Sequence, residues 1–376
     1  VAADDLRFLA HYLPQFHPIP ENDEWWGKGF TEWTNVAKAT PRFRGHYQPH
    51  VPADLGHYDL RVPEVRAAQA ELARAYGIDG FFYYHYWFHG RRLLEQPFDA
   101  VLSSGEPDFP FALCWANENW TRIWDGGTRH KLMTQYHCPD DDVAHIRAVA
   151  PAFADPRYVR IDGRPVFGVY RASELPDPAR TADIWRAECV RLGLPEPYLL
   201  RVEAFGDEDR EDPALQGFDA GVEFNPDAFR LGRRLHSRLP YRLARKAFRP
   251  KSAYRNNYVH SYDRVVDLAL SAKQPAYKRF RGVTPGWDNS ARRKFHARIL
   301  HGSTPAAYER WVRGVVKQFT PYSPEENLVF VNAWNEWAEG NHLEPDLRWG
   351  RGYLEANLRA RGGVVSAPRD LAAVSR

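Results

Sequence analysis

Eight short apolar runs, most of them followed by a helical pattern, limit the folds open to this chain of 376 residues. They are RFLAHY (7–12), IDGFFYYHY (78–86), FALCWA (111–116), PVFGVYR (165–171), PYLLRVEA (197–204), DAGVEF (219–224), KRFRGV (278–283) and LVFVNAW (328–334). All are rich in β-branched or aromatic residues, and Pro or Gly often bounds them, as buried strands require. Four intervening segments read as helices. PEVRAAQAELARAYG puts Val65, Ala68, Leu72 and Ala75 on one stripe, with Gly77 as a stop. TPAAYERWVRGVVKQF has Thr304 as N-cap, Pro305 in the first turn, and Tyr308, Trp311, Val312, Val315 and Phe319 on one face. DDDVAHIRAVAPAF and ADIWRAECVRLG fill two more slots. Strand–helix alternation predicts a parallel sheet with helical crossovers. Eight such units predict an α/β protein, a (β/α)8 TIM barrel with long βα-loop insertions, as one catalytic domain over 1–376. The alternative is an open doubly wound sheet, but the glycine-rich loop that should follow its first strand is absent.

Two insertions interrupt the pattern. Residues 13–62 separate the first strand from its helix and are rich in Trp, His and Pro, a composition unlike disorder. An active-site loop is expected there. The second insertion, 227–257, contains a stretch, 230–255, with ten Arg or Lys and no acid. Leu231, Leu235, Leu239 and Leu243 recur there every four residues, interrupted by Pro240. A solvated amphipathic cap over the barrel is the expectation; a surface for anionic glycan, or peripheral membrane contact, is the sharper alternative. Residues 360–376 read as a C-terminal tail. No recognised nucleic-acid module surrounds the basic stretch, so no nucleic-acid partner is expected. No apolar run reaches the roughly 18 residues a spanning helix needs. No secretory signal is visible, which leaves the compartment open with the cytoplasm ahead of the periplasm or export. Cys114, Cys138 and Cys189 lack metal-ligand spacing and read as buried free thiols. Oligomeric state is not legible.

Aromatic content of 14%, with 13 Trp and 19 Tyr, points weakly toward ligands with apolar faces, and sugars have them. In a barrel of this kind the chemistry sits at the C-terminal ends of the strands. Polar and aromatic residues at those ends are the candidates: His11, Tyr12, His85, Trp87, Trp115, Asn117, Glu118, Asn119, Trp120, Glu203, Glu223, Asn225, Trp287, Asp288 and Asn335, together with Glu336 and Glu339. The last two stand in WNEWAEG, just after the eighth run. Three residues apart on a strand they would diverge; in a helical turn they become neighbours about 5–6 Å apart at Cβ. Two close carboxyls push their pKa values apart, which suits one as acid and the other as base. A lone helix-start acid would explain Glu339 but not the pair. His11 with His17 and His85 with His89 were candidate metal ligands, yet no H-E-x-x-H or H-x-H is present. Hydrogen bonding to hydroxyls ranks ahead, and neither metal nor cofactor is expected.

HYLPQFHPIPENDEWWGKGFTEWTNV, GIDGFFYYHYWFHG, WANENWTRIWDG and NAWNEWAEGNHLEPD together resemble the WbsX-type proteins, also called glycoside hydrolase family 99-like. The resemblance runs from about Arg7 to Gly352. That group is related to endo-α-mannosidases and endo-α-mannanases, which are (β/α)8 barrels; members often accompany bacterial surface-polysaccharide genes, and some are labelled glycosyltransferase. The resemblance implies that Glu336 acts as base on the substrate's own 2-hydroxyl and Glu339 as general acid and then base. It implies retention through a 1,2-anhydro sugar, a manno-configured residue such as mannose or rhamnose, and no cofactor. It also implies a sugar-binding acid in the first βα loop, matched to Glu32; its neighbour Trp33 is a further candidate sugar contact. One departure stands out: the mannosidases commonly carry His where this chain has Ala338. The expectation is therefore an endo-acting retaining hydrolase of a bacterial polysaccharide, with a glycosyltransferase or a non-catalytic glycan binder as alternatives.

Overall fold

The computed structural model describes residues 6–121, 131–204, 211–235 and 257–364. Its eight central strands are β1 (Arg7–Tyr12), β2 (Gly80–Phe88), β3 (Phe111–Trp115), β4 (Arg164–Val169), β5 (Tyr198–Glu203), β6 (Ala220–Glu223), β7 (Arg279–Val283) and β8 (Leu328–Val331). Each coincides with one of the eight apolar runs. All neighbours pair in parallel. β8 pairs with β1, Phe8 opposite Val329, and β1 pairs with β2, His11 opposite Phe82, so the sheet closes on itself. The fold is a TIM barrel.

Side chains alternate between the barrel interior and the helix layer. Inside, the His11 ring lies 5.1 Å from Phe82, Phe82 lies 5.1 Å from Phe330, and Phe330 lies 6.2 Å from Phe280. A Cβ at Gly168 would collide with the Phe82 ring, so this position of β4 accepts only glycine without a shift. The filled interior forces any ligand to the rim.

Nine helices are described: α1 (Pro20–Trp26), α2 (Glu32–Lys38), α3 (Pro63–Ala75), α4 (Gln96–Ser104), α5 (Pro139–Ala154), α6 (Pro178–Arg191), α7 (Tyr262–Leu270), α8 (Pro305–Gln318) and α9 (Gly352–Ala360). α8 matches expectation: the Thr304 side chain accepts from the Ala307 N–H, and Tyr308, Trp311, Val312 and Val315 are buried. α3 is rotated relative to its apolar stripe. Its buried face is Arg66, Gln69, Ala70 and Ala73. Polar anchoring decides this: Arg66 donates to the Leu60 carbonyl (2.6 Å) and Gln69 to Glu344 (2.6 Å).

The 13–62 insertion carries α1 and α2, and Thr31 and Thr34 form a reciprocal capping box at the start of α2. Most of the basic stretch and of the C-terminal tail lies outside the described residues. Of its four leucines, Leu231 is buried and Leu235 packs on a small cluster of Val259, Ala297 and Ile299. All three cysteines are free; Cys114 and Cys189 are buried as expected, whereas Cys138 is only half-buried. No described helix is long and apolar enough to cross a membrane.

Candidate active site

β8 ends at Val331, three residues short of the sequence expectation, because the chain then folds into a tight hairpin. Asn335–Glu336 pairs antiparallel with Asn341–His342, and a single 3₁₀ turn, Trp337–Glu339, joins them. Glu336 caps that turn and Glu339 ends it. Residues three apart eclipse in a 3₁₀ turn, so both carboxylates leave on one side. Gly340 closes the turn at φ 55°, and a Cβ there would lie 2.9 Å from the Asp288 Cβ.

Several buried polar groups hold this hairpin. The Asn335 side chain accepts from the Leu13 N–H (2.7 Å) and donates to the Leu13 carbonyl (3.0 Å). Glu344 accepts from the Trp337 indole (2.6 Å), the Tyr58 hydroxyl (2.8 Å) and the Gln69 amide (2.6 Å). Burial pushes the Glu344 carboxyl up to about 7 while those donors pull the other way. The Trp337 ring stacks on His342 with centroids 3.7 Å apart and meets Trp33 of α2 at 5.5 Å.

The acids converge on one cation. Arg292 reaches Glu339 Oε1 through Nη1 (2.9 Å), Glu336 Oε2 through Nη2 (3.1 Å) and Glu32 Oε2 through Nε (3.2 Å). Burial lowers the guanidinium's pKa, but the three carboxylates outweigh it and hold Arg292 well above its usual value. Burial raises Glu336 to about 8 and raises Glu339 as well; Arg292 opposes the rise, and the neighbouring carboxylates add to it. The pair therefore retains a proton near neutral pH, and its titration steps belong to both groups together.

Glu336, Glu339 and Arg292 face a cavity of about 410 Å³. Its walls are mainly aromatic, with Trp26, Tyr84, Tyr86, Trp120, Tyr170 and Phe224, and its polar groups include Gln15, Glu118 and Asn119. Glu118 pairs with Arg171 (2.9 Å). Asn117 braces that strand end, accepting from the Arg171 N–H and donating to its carbonyl, both at 2.8 Å. Such a cavity offers faces for stacking and paired acids for proton transfer, the needs of a bound sugar.

Of the residues expected at the rim, Glu336, Glu339, Glu118, Asn119 and Trp120 line this cavity. Glu32 and Asn335 reach it indirectly, through Arg292 and through the hairpin. Trp33 packs behind the hairpin and donates to the Tyr58 carbonyl (2.8 Å). The others require correction. His11 fills the barrel interior, and Tyr12 points the opposite way and donates to Gln69 (2.7 Å). His85, Trp87 and Trp115 sit among the helix-facing residues: His85 contacts His145 (3.0 Å), Trp87 donates to Asp141 (3.1 Å), and Trp115 donates to the Trp87 carbonyl (3.3 Å). Glu203 is engaged by Arg201 and Arg279, and Glu223 by Arg281 (2.8 Å), all on the outer face of the sheet. Asn225 bonds the Gly282 carbonyl (2.7 Å). Trp287 lines a separate small cavity.

Arg292, Tyr84, Tyr86 and Tyr170 were missed. Tyr84 and Tyr86 share the parity of Phe82, which lies beside interior His11, but the sequence does not mark that phase because every residue of β2 is buried. Arg292, in the loop after β7, had no signal either.

The sequence profile of the family described as "Glycosyltransferase WbsX" matches residues 8–357. This chain belongs to the WbsX family. Two curated relatives of the WbsX chain, each named "Uncharacterized protein WxcX" and from two strains of Xanthomonas campestris pv. campestris, are 44% identical to it over 353 and 356 residues. Those matches cover 94% of the WbsX chain and 49% of each relative, so the chain spans about half the length of the curated relatives it matches. Among solved structures, a GH99 endo-α-mannosidase from Bacteroides thetaiotaomicron in complex with bis-tris-propane superposes with a TM-score of 0.56 at 12% identity, covering 96% of this chain and 97% of that one. A "Glycoside hydrolase-like protein" gives 0.56 at 15% identity, covering 96% and 95%. At such identities the likeness is one of fold: the WbsX chain has a GH99-like barrel.

Proposed function

We propose that this WbsX-family chain is an endo-acting retaining glycoside hydrolase of a bacterial surface or extracellular polysaccharide, cleaving at a manno-configured residue. The observation that carries the reading is the carboxyl pair, Glu336 and Glu339, joined by adjacent nitrogens of one guanidinium at the mouth of an aromatic cavity. A pair so joined holds both carboxyls on one side of the bound sugar, where one reaches a ring hydroxyl and the other the leaving oxygen.

The reaction follows from these roles. With the pair's shared proton resting on Glu339 once the sugar is bound, Glu336 takes the proton of the substrate 2-hydroxyl as that oxygen attacks C1. Glu339 gives its proton to the departing glycosidic oxygen. The C1–O bond to the leaving sugar breaks and a 1,2-anhydro ring forms. Glu339, now a carboxylate, draws a proton from water that attacks C1, and Glu336 returns its proton to the 2-oxygen. Two inversions leave net retention. Arg292 keeps whichever carboxyl is ionised compensated throughout, and the aromatic walls stack the sugar rings.

The test is release of oligosaccharides from a panel of mannose- or rhamnose-containing O-antigens and exopolysaccharides. Wild type is expected to release product of retained anomeric configuration by NMR, and Glu336→Gln and Glu339→Gln to abolish release while remaining folded. Inverted product rejects retention. The family's description favours a second reading, glycosyl transfer; transfer that depends on an added nucleotide- or lipid-linked donor, with no polymer cleavage, would establish it instead. Tight glycan binding that survives loss of both glutamates, with no turnover by wild type, would make the chain a binding protein.

A further inference from the structure

Behind the hairpin lies a second polar cluster that the proposed reaction does not use. His50 comes from the first βα insertion; His342 and Asp346 come from the segment after the catalytic turn. One ligand-type atom from each lies within 4.8 Å of the others, and among the described residues this is the only group of three or more His, Cys, Asp or Glu side chains so arranged. His50 Nδ1 is 2.8 Å from His342 Nε2, and His342 Nε2 is 3.8 Å from Asp346 Oδ2. All three line a cavity of about 100 Å³, enough for an ion and a water.

We propose that His50, His342 and Asp346 bind one divalent transition-metal ion of the zinc type, which fastens the acid-bearing hairpin to the first βα loop. Two imidazole nitrogens and a carboxylate oxygen form a common donor set for such an ion, with a fourth position left to water. The orientation of two of the ligands is already set. His342 Nδ1 lies 2.8 Å from the Glu344 carbonyl, so that nitrogen carries the proton and Nε2 presents its lone pair. Asp346 Oδ1 accepts from the Arg348 and Trp349 N–H groups (2.9 and 2.6 Å), which turns Oδ2 toward His342. The Tyr47 hydroxyl also bonds this carboxylate.

A plain hydrogen bond from His50 to His342 accounts for the 2.8 Å contact. It does not engage Asp346 Oδ2, which lies 3.8 Å from His342 Nε2, too far for a hydrogen bond. A cation between the three groups engages all of them at once. Of the other charged groups at this cavity, Asp288 is taken by His46 (2.5 Å) and Gln48 (2.9 Å), and Arg348 lies over the Tyr47 ring, 4.7 Å from its centroid. These ligands are far apart in the chain and are not the histidine pairs weighed in the sequence, from which no metal is expected.

The consequence for the site is mechanical. His342 pairs in register with Asn335, next to Glu336, and stacks on Trp337. Fixing His342 therefore fixes the turn between the two acids.

The test uses the full chain made without a polyhistidine tag, stripped with a chelator and titrated with Zn²⁺ and then Co²⁺. One equivalent is expected to bind, to raise the thermal midpoint, and with Co²⁺ to produce visible d–d bands. His50→Gln and Asp346→Asn are expected to weaken binding at least about tenfold. Stripped wild type that shows neither the midpoint shift nor the Co²⁺ bands overturns the proposal, whatever the variants do. So does Co²⁺ binding with unchanged spectrum and affinity in folded Asp346→Asn, which would put the metal elsewhere.

Discussion

One guanidinium among three carboxylates sets the electrostatics at Glu336 and Glu339. Arg292 is the cation that pulls both acids down against their burial. Arg292→Met is expected to shift both limbs of the pH–rate profile to higher pH and to lower kcat by about 10² or more. A rate loss with the profile in place would reduce Arg292 to packing. The same balance makes a stability prediction. Glu336 has a folded-state pKa of about 8 against an ordinary value of 4.5, so over that window the folded chain holds a proton that the unfolded chain has released. Its contribution to stability is complete below pH 4.5 and is lost as the pH rises through 8. Glu336→Gln cannot ionise. It is expected to exceed wild type in stability at pH 8 by on the order of 1 kcal/mol, with the margin closing toward acid pH. Thermal melts across the window check this, and a margin that grows toward acid would show instead that the carboxylate is charged and stabilised where it sits.

At the level of elements, the hairpin after β8 depends on Glu344, a buried carboxylate that takes donors from Trp337, Tyr58 and Gln69. Glu344→Ala would strand three buried donors, and a loss of about 3 kcal/mol is expected in urea melts. Activity should fall further than the melt predicts, since the turn bearing both acids loses its brace. The acid pair was legible because a spacing of three, placed after a buried strand, has few structural outcomes that keep both side chains together. Strand phase was not legible. Every residue of β2 is buried, so GFFYYHYWF shows no polar–apolar alternation to mark its inner side. His85 and Trp87 therefore looked as good as Tyr84 and Tyr86. Similarly, Glu203 and Glu223 read as rim acids because Arg279 and Arg281, which engage them, stand on β7, far along the chain, where no local pattern reveals them. In α3 the apolar stripe misled for a related reason: Gln69 is buried by Glu344, distant in sequence, and Arg66 by the carbonyl of Leu60 just before the helix.

Across the whole molecule, the barrel was legible because eight strands and four of the intervening helices announce themselves locally, and eight βα units have one common way to bury both faces of a parallel sheet. What no local pattern reports is which distant segments meet above it. The site unites Glu32, from the insertion after the first strand, with Arg292, from the loop after the seventh, and Glu336 and Glu339, from beyond the eighth. Closure of β8 onto β1 brings these segments together. A ribosome reading this message would release the pocket's floor well before its two acids. The nascent chain can carry no working centre until the ring shuts, so whatever chemistry the cavity performs waits for the eighth strand and the hairpin behind it to emerge.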